Sequence, residues 1–438
     1  MNVSIIIPVV REESAHRCID AIKRNAGIPQ SSYEIVTEVD VEGIGCPRMV
    51  EKLTKKTKYD IVMFLGDDTV PQKDFLKNAI DAMRKLPDEW GVVGLATEGP
   101  CHWLDNLYDN VSPLAHWMAH KKILQFIPGG NFFSTDYRHC YCDNELKDIA
   151  DELGRWIFAE NSCIQHIHPI NKNAEYDKYY QKAYSDIDYI SDHKTYCFRK
   201  RERMAKKYGT KLAICLPLTD TWVYVQFFYS FIKVITEYMS SLVNDGKKIN
   251  FDVLMPDYPS NALDEIRNHL VFKALYSGCT HILMMDTDQI YNDDNIIERL
   301  LSHNKPVVGA RVHRRYPPFD PLLLRGEIGK LYCISNNEIQ KADGSFEKEL
   351  PVNYTGTGCI LYDTRVFIDM IPEKWFKFKV GDKGQAIGED VGFCEKLNQR
   401  GIPIVVDCSI DIQHITLMAV DWNTYRLFQK IYKRRGDR

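Results

Sequence analysis

The chain carries one signature twice: Ile61-Val-Met-Phe-Leu-Gly-Asp67-Asp68 and Ile282-Leu-Met-Met-Asp286-Thr-Asp288. In both, an apolar run long enough for a buried parallel strand stops abruptly in carboxylates. Acidic side chains therefore lie at the carboxyl edge of a sheet, where open α/β folds bind ligands.

The repetition continues on either side. Pro47-Arg48 and Ile266-Arg267-Asn268 each precede the acidic strand end and open an amphipathic helix. Gly91-Val-Val-Gly94 answers Pro306-Val-Val-Gly309. Cys142-Asp143 followed by Leu153-Gly154 matches Glu389-Asp390 followed by Arg400-Gly401, and Ile164-Gln-His166 matches Ile412-Gln-His414. Landmarks that recur in one order, at a period of roughly two hundred residues, indicate two copies of one domain rather than a solenoid.

At 438 residues the chain has room for two or three domains, each with a full core. Strand and helix patterns alternate in both halves, from Val3 to Thr97 and from Leu212 to Ala310, which predicts mostly parallel sheets with right-handed crossovers. The predicted fold class is α/β, with one domain over 1–170 and a second over 211–425. Between them, 171–210 reads as a basic helical linker, and 426–438 as a basic tail. The net charge of −4 gives no whole-chain attraction to nucleic acid or membrane.

Met1-Asn-Val-Ser-Ile-Ile-Ile-Pro8 has neither the basic start nor the long apolar run of a signal peptide. The most apolar stretch, Trp222 to Ile235, is interrupted by Gln226, Ser230 and Lys233, so no membrane span is expected. Thirteen cysteines, many inside apolar strands, fit reduced thiols in a cytoplasmic protein. Cys140-Tyr-Cys142 lacks the second ligand pair of a structural zinc site.

A Mg2+ or Mn2+ ion takes carboxylate oxygens together with substrate phosphates, so acids at a sheet edge suit a metal that grips a diphosphate. Asp390, at the start of an amphipathic helix, has the chemistry of a general base or of a helix cap. Its counterpart Asp143 opens a second such helix. His414 and His166 follow those helices at equal distance and are either packing residues or metal ligands.

With these residues in place, each half resembles a glycosyltransferase of the GT-A fold, and specifically of family 2. The shared features are a first strand ending in Pro8, an arginine-bearing helix, a DxD-like strand end, an ED-type motif and a late histidine. The stretch Val307 to Pro318 also resembles phage-encoded and related prokaryotic glycosyltransferase-like proteins. The resemblance implies a nucleotide-sugar donor whose diphosphate is bridged by Mn2+ or Mg2+ to Asp288 and His414. Asp286 then lies near the ribose or the metal, and Asp390 is the base of an inverting transfer. In the first half it implies metal ligands Asp68 and His166 and a base at Asp143. The donor surface there comprises Pro8, Arg11, Glu12, Asp40, Arg48 and Asp67. In the second half it comprises Thr219, Asp257, Arg267 and Asp286.

The first half departs from the pattern, with Gly66 in the first DxD position and Cys142 for the glutamate of the ED motif. Two active sites are expected. The alternative is one catalytic half and one acceptor-binding half. The acceptor, a glycan, lipid-linked glycan, protein or hydroxylated phage DNA base, is served by loops near Glu98–Asn131 and Arg311–Thr357, rich in aromatic residues that suit sugar rings and bases alike.

Overall fold

The computed structural model describes residues 1–98, 115–171, 173–183, 185–381, 384, 386–417, 421–426 and 429–430. Most of the first proposed acceptor loop and most of the basic tail lie outside the described residues. The chain divides into two compact units, 1–196 and 197–438.

The first unit is built on strands β1 (Val3–Val9), β2 (Tyr33–Val39), β3 (Ile61–Phe64), β4 (Thr69–Pro71), β5 (Val92–Glu98), β6 (Trp117–His120) and β7 (Trp156–His166). Helices α1 (Glu12–Asn25), α2 (Cys46–Thr54), α3 (Phe75–Met83) and α4 (Cys142–Glu152) connect them. Its sheet runs β2-β1-β3-β6-β5-β7-β4. The pairs β1·β2, β1·β3 and β5·β7 are parallel, whereas β3·β6, β5·β6 and β4·β7 are antiparallel. The sheet is therefore mixed rather than mostly parallel. Strand β6 has no helical crossover signal, and its insertion between β3 and β5 reverses the direction at mid-sheet.

The second unit uses β8 (Leu212–Cys215), β9 (Phe251–Leu254), β10 (His281–Met285), β11 (Gln289–Tyr291) and β12 (Val307–Val312). Four short strands follow, β13 (Leu323–Arg325), β14 (Tyr332–Cys333), β15 (Leu350–Val352) and β16 (Tyr354–Thr355). Then come β17 (Cys359–Asp363), the hairpin β18 (Lys379–Val380) with β19 (Ala386–Ile387), and β20 (Ile404–His414). Its main sheet runs β9-β8-β10-β17-β12-β20-β11, with the same succession of parallel and antiparallel pairs as the first. Even the irregularities correspond. The β5·β7 register shifts between Leu95 and Ala96, and the β12·β20 register between Ala310 and Arg311. Each bulge re-aims the last third of an eleven-residue strand that ends in a histidine.

The predicted linker is helical, with α5 (Lys178–Ala183) and α6 (Asp186–Tyr208), but it is not free-standing. The unit boundary falls inside α6. Up to Tyr196 the segment packs on the first unit: the Asp192 carboxylate accepts from the backbone N–H of Arg138, His139 and Cys140, each at 2.8 Å. Beyond it, buried Arg201 pairs with both oxygens of Asp363 at 3.1 Å. At least this basic residue serves internal packing rather than a solvated face.

The remaining helices of the second unit are α7 (Val225–Asn244), α8 (Leu263–Tyr276), α9 (Ile296–Ser302), the short α10 (Asn336–Ile339) and α11 (Arg365–Ile368), and α12 (Glu389–Gln399). Helix α7 buries Phe227, Phe231, Val234, Tyr238 and Leu242 against the sheet and exposes its other face, so it is amphipathic rather than membrane-spanning. Among the described residues no helix is long and apolar enough to cross a membrane. The described cysteines are free thiols.

Candidate active site

Strand β10 is buried along its apolar length and delivers Asp286 and Asp288 to the sheet edge. The chain then turns into β11, which pairs antiparallel with β20 so that Gln289 stands opposite His414. Ile415 N–H donates to the Asp288 carbonyl at 2.8 Å and locks that register. The result is His414 Nε2 at 3.3 Å from Asp288 Oδ2. In the first unit the same device places Thr69 opposite His166, with Ile167 N–H on the Asp68 carbonyl at 2.9 Å. There His166 Nε2 lies 3.4 Å from Asp68 Oδ1. The structure brings each predicted aspartate and histidine together.

His414 Nδ1 lies 2.8 Å from the His313 carbonyl, which can only accept, so Nδ1 carries the proton. In the neutral ring, Nε2 then aims a lone pair at a carboxylate. Such an arrangement calls for a cation: a proton on Nε2, a metal ion between the two groups, or another charge. Burial opposes protonation of His414, but Asp288 and the His313 carbonyl outweigh it and raise its pKa. Arg315 supplies a further charge, its Nη1 3.0 Å from Asp288 Oδ2. Burial likewise opposes ionisation of Asp288, and His414 and Arg315 outweigh it and hold the carboxyl below its usual range.

Behind this pair stands a buried triad. Arg267, on α8 and 2% exposed, donates from Nη2 to Asp286 Oδ1 at 2.9 Å and from Nε to Glu389 Oε1 at 3.2 Å. Its Nη1 is buried without a partner. The arginine therefore ties the first acid of DxD to the first acid of ED, and Asp286 is held by a guanidinium. Asp390 follows as the second residue of α12. It is not the helix cap, a place taken by Gly388. A Cβ at 388 would stand 2.5 Å from Asp390 Oδ1, so glycine gives this carboxylate its space. Burial raises the Asp390 pKa, against the pull of the Val391 N–H and of Arg267. A buried carboxyl poised upward is suited to general base work.

Asp143 holds the matching second position of α4, and burial raises its pKa too. The triad behind it is gone. Gly66 and Cys142 replace the acids, and Arg48 is exposed on α2 rather than buried, so the predicted equivalence of Arg48 with Arg267 fails. On α2 it is Cys46 whose thiol is pushed up, by burial and then by Asp143, Asp67 and Asp68.

Two first-unit residues expected to read a nucleotide have structural duties. Asp67, 4% exposed, accepts from the N–H groups of Val10 and Arg11 at 2.7 Å and anchors the β1–α1 turn. Asp40 accepts from Ile44 and Gly45 N–H at 2.8 and 2.9 Å and closes its own loop, because a short carboxylate finds backbone donors there before any base. Glu12 is exposed at the start of α1, and Pro8 lies within β1. In the second unit Thr219 meets only its neighbour Asp220 at 3.4 Å. Asp257 is 62% exposed and pairs with Lys273 Nζ at 2.8 Å.

Residues overlooked from sequence complete the picture. Tyr180, from the predicted linker, donates its hydroxyl to Asp68 Oδ2 at 2.8 Å. Arg11 pairs with Asp177 at 3.0 and 3.1 Å and lies 4.1 Å from the centre of the Tyr180 ring. Burial opposes ionisation of Asp68, but His166 and Tyr180 outweigh it and its pKa falls. Nothing in the local pattern of 171–185 marks Tyr180 as a partner of a residue so distant in sequence. Arg315 lay within the Val307–Pro318 stretch, but its partner is visible only in the fold.

A family model described as Anp1 matches residues 260–321, which contain Arg267, Asp286, Asp288 and Arg315. The mannan polymerase complex subunit MNN9 of Candida albicans (strain SC5314 / ATCC MYA-2876) is 40% identical over 50 residues, 11% of this chain. That match spans 14% of the length of the relative. Among solved structures, A197 from STIV aligns at 16% identity over 48% of this chain and 86% of its own, with a TM-score of 0.28. S. aureus TarS 1-349 in complex with UDP-GlcNAc aligns at 12% identity over 47% and 66%, with a TM-score of 0.35.

Proposed function

We propose that the chain is a metal-dependent glycosyltransferase with two GT-A domains in tandem, and that transfer from a nucleotide-diphosphate sugar takes place in the second unit. The observation that carries this reading is the joint placement of a buried Asp390, the Asp286–Arg267–Glu389 triad and the Asp288–His414 pair in one domain. The local match to the Anp1 model over the DxD segment supports it. On the strength of the mannan polymerase subunit, mannose is the first sugar to try in the donor.

Asp288 and His414 fit a divalent cation because their lone pairs face one another across 3.3 Å. Mn2+ suits the mixed oxygen and nitrogen set, and when bound it neutralises charge on the departing diphosphate. Arg315, 49% exposed, swings from Asp288 to the diphosphate when the cation takes its place. Asp390 removes the proton from the acceptor hydroxyl. That oxygen bonds to the anomeric carbon as the bond from this carbon to the diphosphate oxygen breaks, and the nucleoside diphosphate leaves. Arg267 binds no substrate in this scheme. It neutralises Asp286 and Glu389, so that Asp390 is not surrounded by uncompensated carboxylates.

A second reading, turnover in both units, is favoured by Asp143, which shares the position and the upward pKa shift of Asp390. Donor hydrolysis in Asp390→Asn and Asp143→Asn separates the two. Loss only in Asp390→Asn supports the first reading, and partial loss in each supports the second.

A further inference from the structure

The first unit contains a histidine cluster that this chemistry leaves unused. His116, just before β6, is 3% exposed, and neither of its ring nitrogens has a hydrogen-bond partner. A buried polar group without a partner costs about 1–3 kcal/mol, so an imidazole kept there for shape alone is a poor choice over phenylalanine. Its ring meets that of His166 edge-on, with centroids 5.0 Å apart. His166 Nε2 is in turn 3.4 Å from Asp68 Oδ1.

These spacings have a chemical meaning. Metal bonds of about 2.0–2.1 Å in a tetrahedron hold two ligand atoms about 3.4 Å apart and two imidazole centroids about 5 Å apart. Gly66 creates the room, since a Cβ there would stand 2.6 Å from Asp68 Oδ1 and 3.5 Å from His116 Cε1. The other oxygen of Asp68 takes the Tyr180 hydroxyl at 2.8 Å, a bond of the kind that orients a ligating carboxylate. The glycine in the first DxD position is thus an exchange: an acid is lost and an imidazole approaches.

We propose that Asp68, His166 and His116 form a site for a borderline transition-metal dication, with Zn2+ the first choice. Two imidazoles and one carboxylate select such an ion over Mg2+, which demands oxygen ligands. Among the described residues no three such side chains already converge on one point, so binding entails a side-chain rotation of His116 toward Asp68. The site does not require the first unit to transfer sugar, and it stands whether or not the second unit does.

The test uses full-length Asp288→Ala protein, stripped with chelator and titrated with Zn2+ and then Mg2+ by calorimetry. The expected result is one Zn2+ per chain, with far weaker Mg2+ binding. His116→Phe in the same background is expected to weaken Zn2+ binding at least tenfold and to abolish the Zn2+-induced rise in Tm. Its metal-free Tm stays at or above that of the parent, because the new ring lies beside Phe64 and no hydrogen bond is lost. Absence of Zn2+ binding in Asp288→Ala, or unchanged affinity in His116→Phe, overturns the proposal. Should the phenylalanine variant fail to fold, His116→Leu is measured in its place, and parental Zn2+ affinity in that variant has the same force.

Discussion

The two acidic strand ends share a backbone but hold their carboxylates by different means. In the second unit a buried guanidinium bridges Asp286 and Glu389, and Asp288 faces His414 and a half-exposed Arg315. In the first, Gly66 and Cys142 stand in the acid positions, the nearest arginine on α2 is at the surface, and Asp68 is capped by Tyr180. The lesson is that the triad exists as a whole or not at all. A fully buried arginine needs both anions, and a buried anion needs the arginine, since leaving one charge unpaired costs several kcal/mol. Loss of one member removes the reason for the other two, whereas the aspartate and histidine fixed by the β4·β7 and β11·β20 registers persist in both units.

The sharpest break in the comparison is chemical. Asp390→Asn is expected to lower kcat/KM for donor consumption by about 100- to 10,000-fold, the usual worth of a positioned base, while Asp143→Asn changes it far less. Steady-state kinetics on the two variants measures this. Next is stability: Arg267→Met leaves Asp286 and Glu389 unpaired and is expected to cost about 3–5 kcal/mol in denaturant unfolding. Arg48→Met, at an exposed position, is expected to stay within about 0.5 kcal/mol. Equal costs would mean that the triad does not organise the second unit.

A smaller effect is expected at the first carboxylate. Tyr180→Phe removes one partner from buried Asp68 and is expected to cost about 1–3 kcal/mol in denaturant unfolding. The pH dependence refines the second site. Because the His414 pKa lies above 6.5, its contact with Asp288 contributes its full stability below that value and loses it as pH rises through the folded pKa. A cation competes for the same nitrogen, so Mn2+ affinity should strengthen over that same rise, with release of about one proton. Calorimetry in buffers of different ionisation enthalpy counts that proton, and the dependence should vanish in His414→Gln.

Much of this was legible in the sequence because it rests on local pattern. Apolar runs such as Ile61 to Leu65 and His281 to Met285 become buried strands, and the repeated spacing brings His166 to Asp68 and His414 to Asp288. What escaped the sequence depends on chain reversals and distant partners. Strand β6 carries no periodic helix before it, so its antiparallel insertion left no signal. Asp40 and Asp67 resemble ligand contacts until backbone donors are seen to occupy them. Tyr180 and Asp177 lie in a stretch that reads as linker, and only the folded first unit shows that they cover Asp68 and Arg11.

The placement of transfer in the second unit is tested most directly by donor hydrolysis. A panel of nucleotide sugars, with mannosyl donors first, is incubated with Mn2+ and the wild-type, Asp68→Ala and Asp288→Ala chains, each checked for an intact fold. The expected result is turnover that survives Asp68→Ala and disappears in Asp288→Ala. Turnover that survives Asp288→Ala and disappears in Asp68→Ala would contradict the assignment.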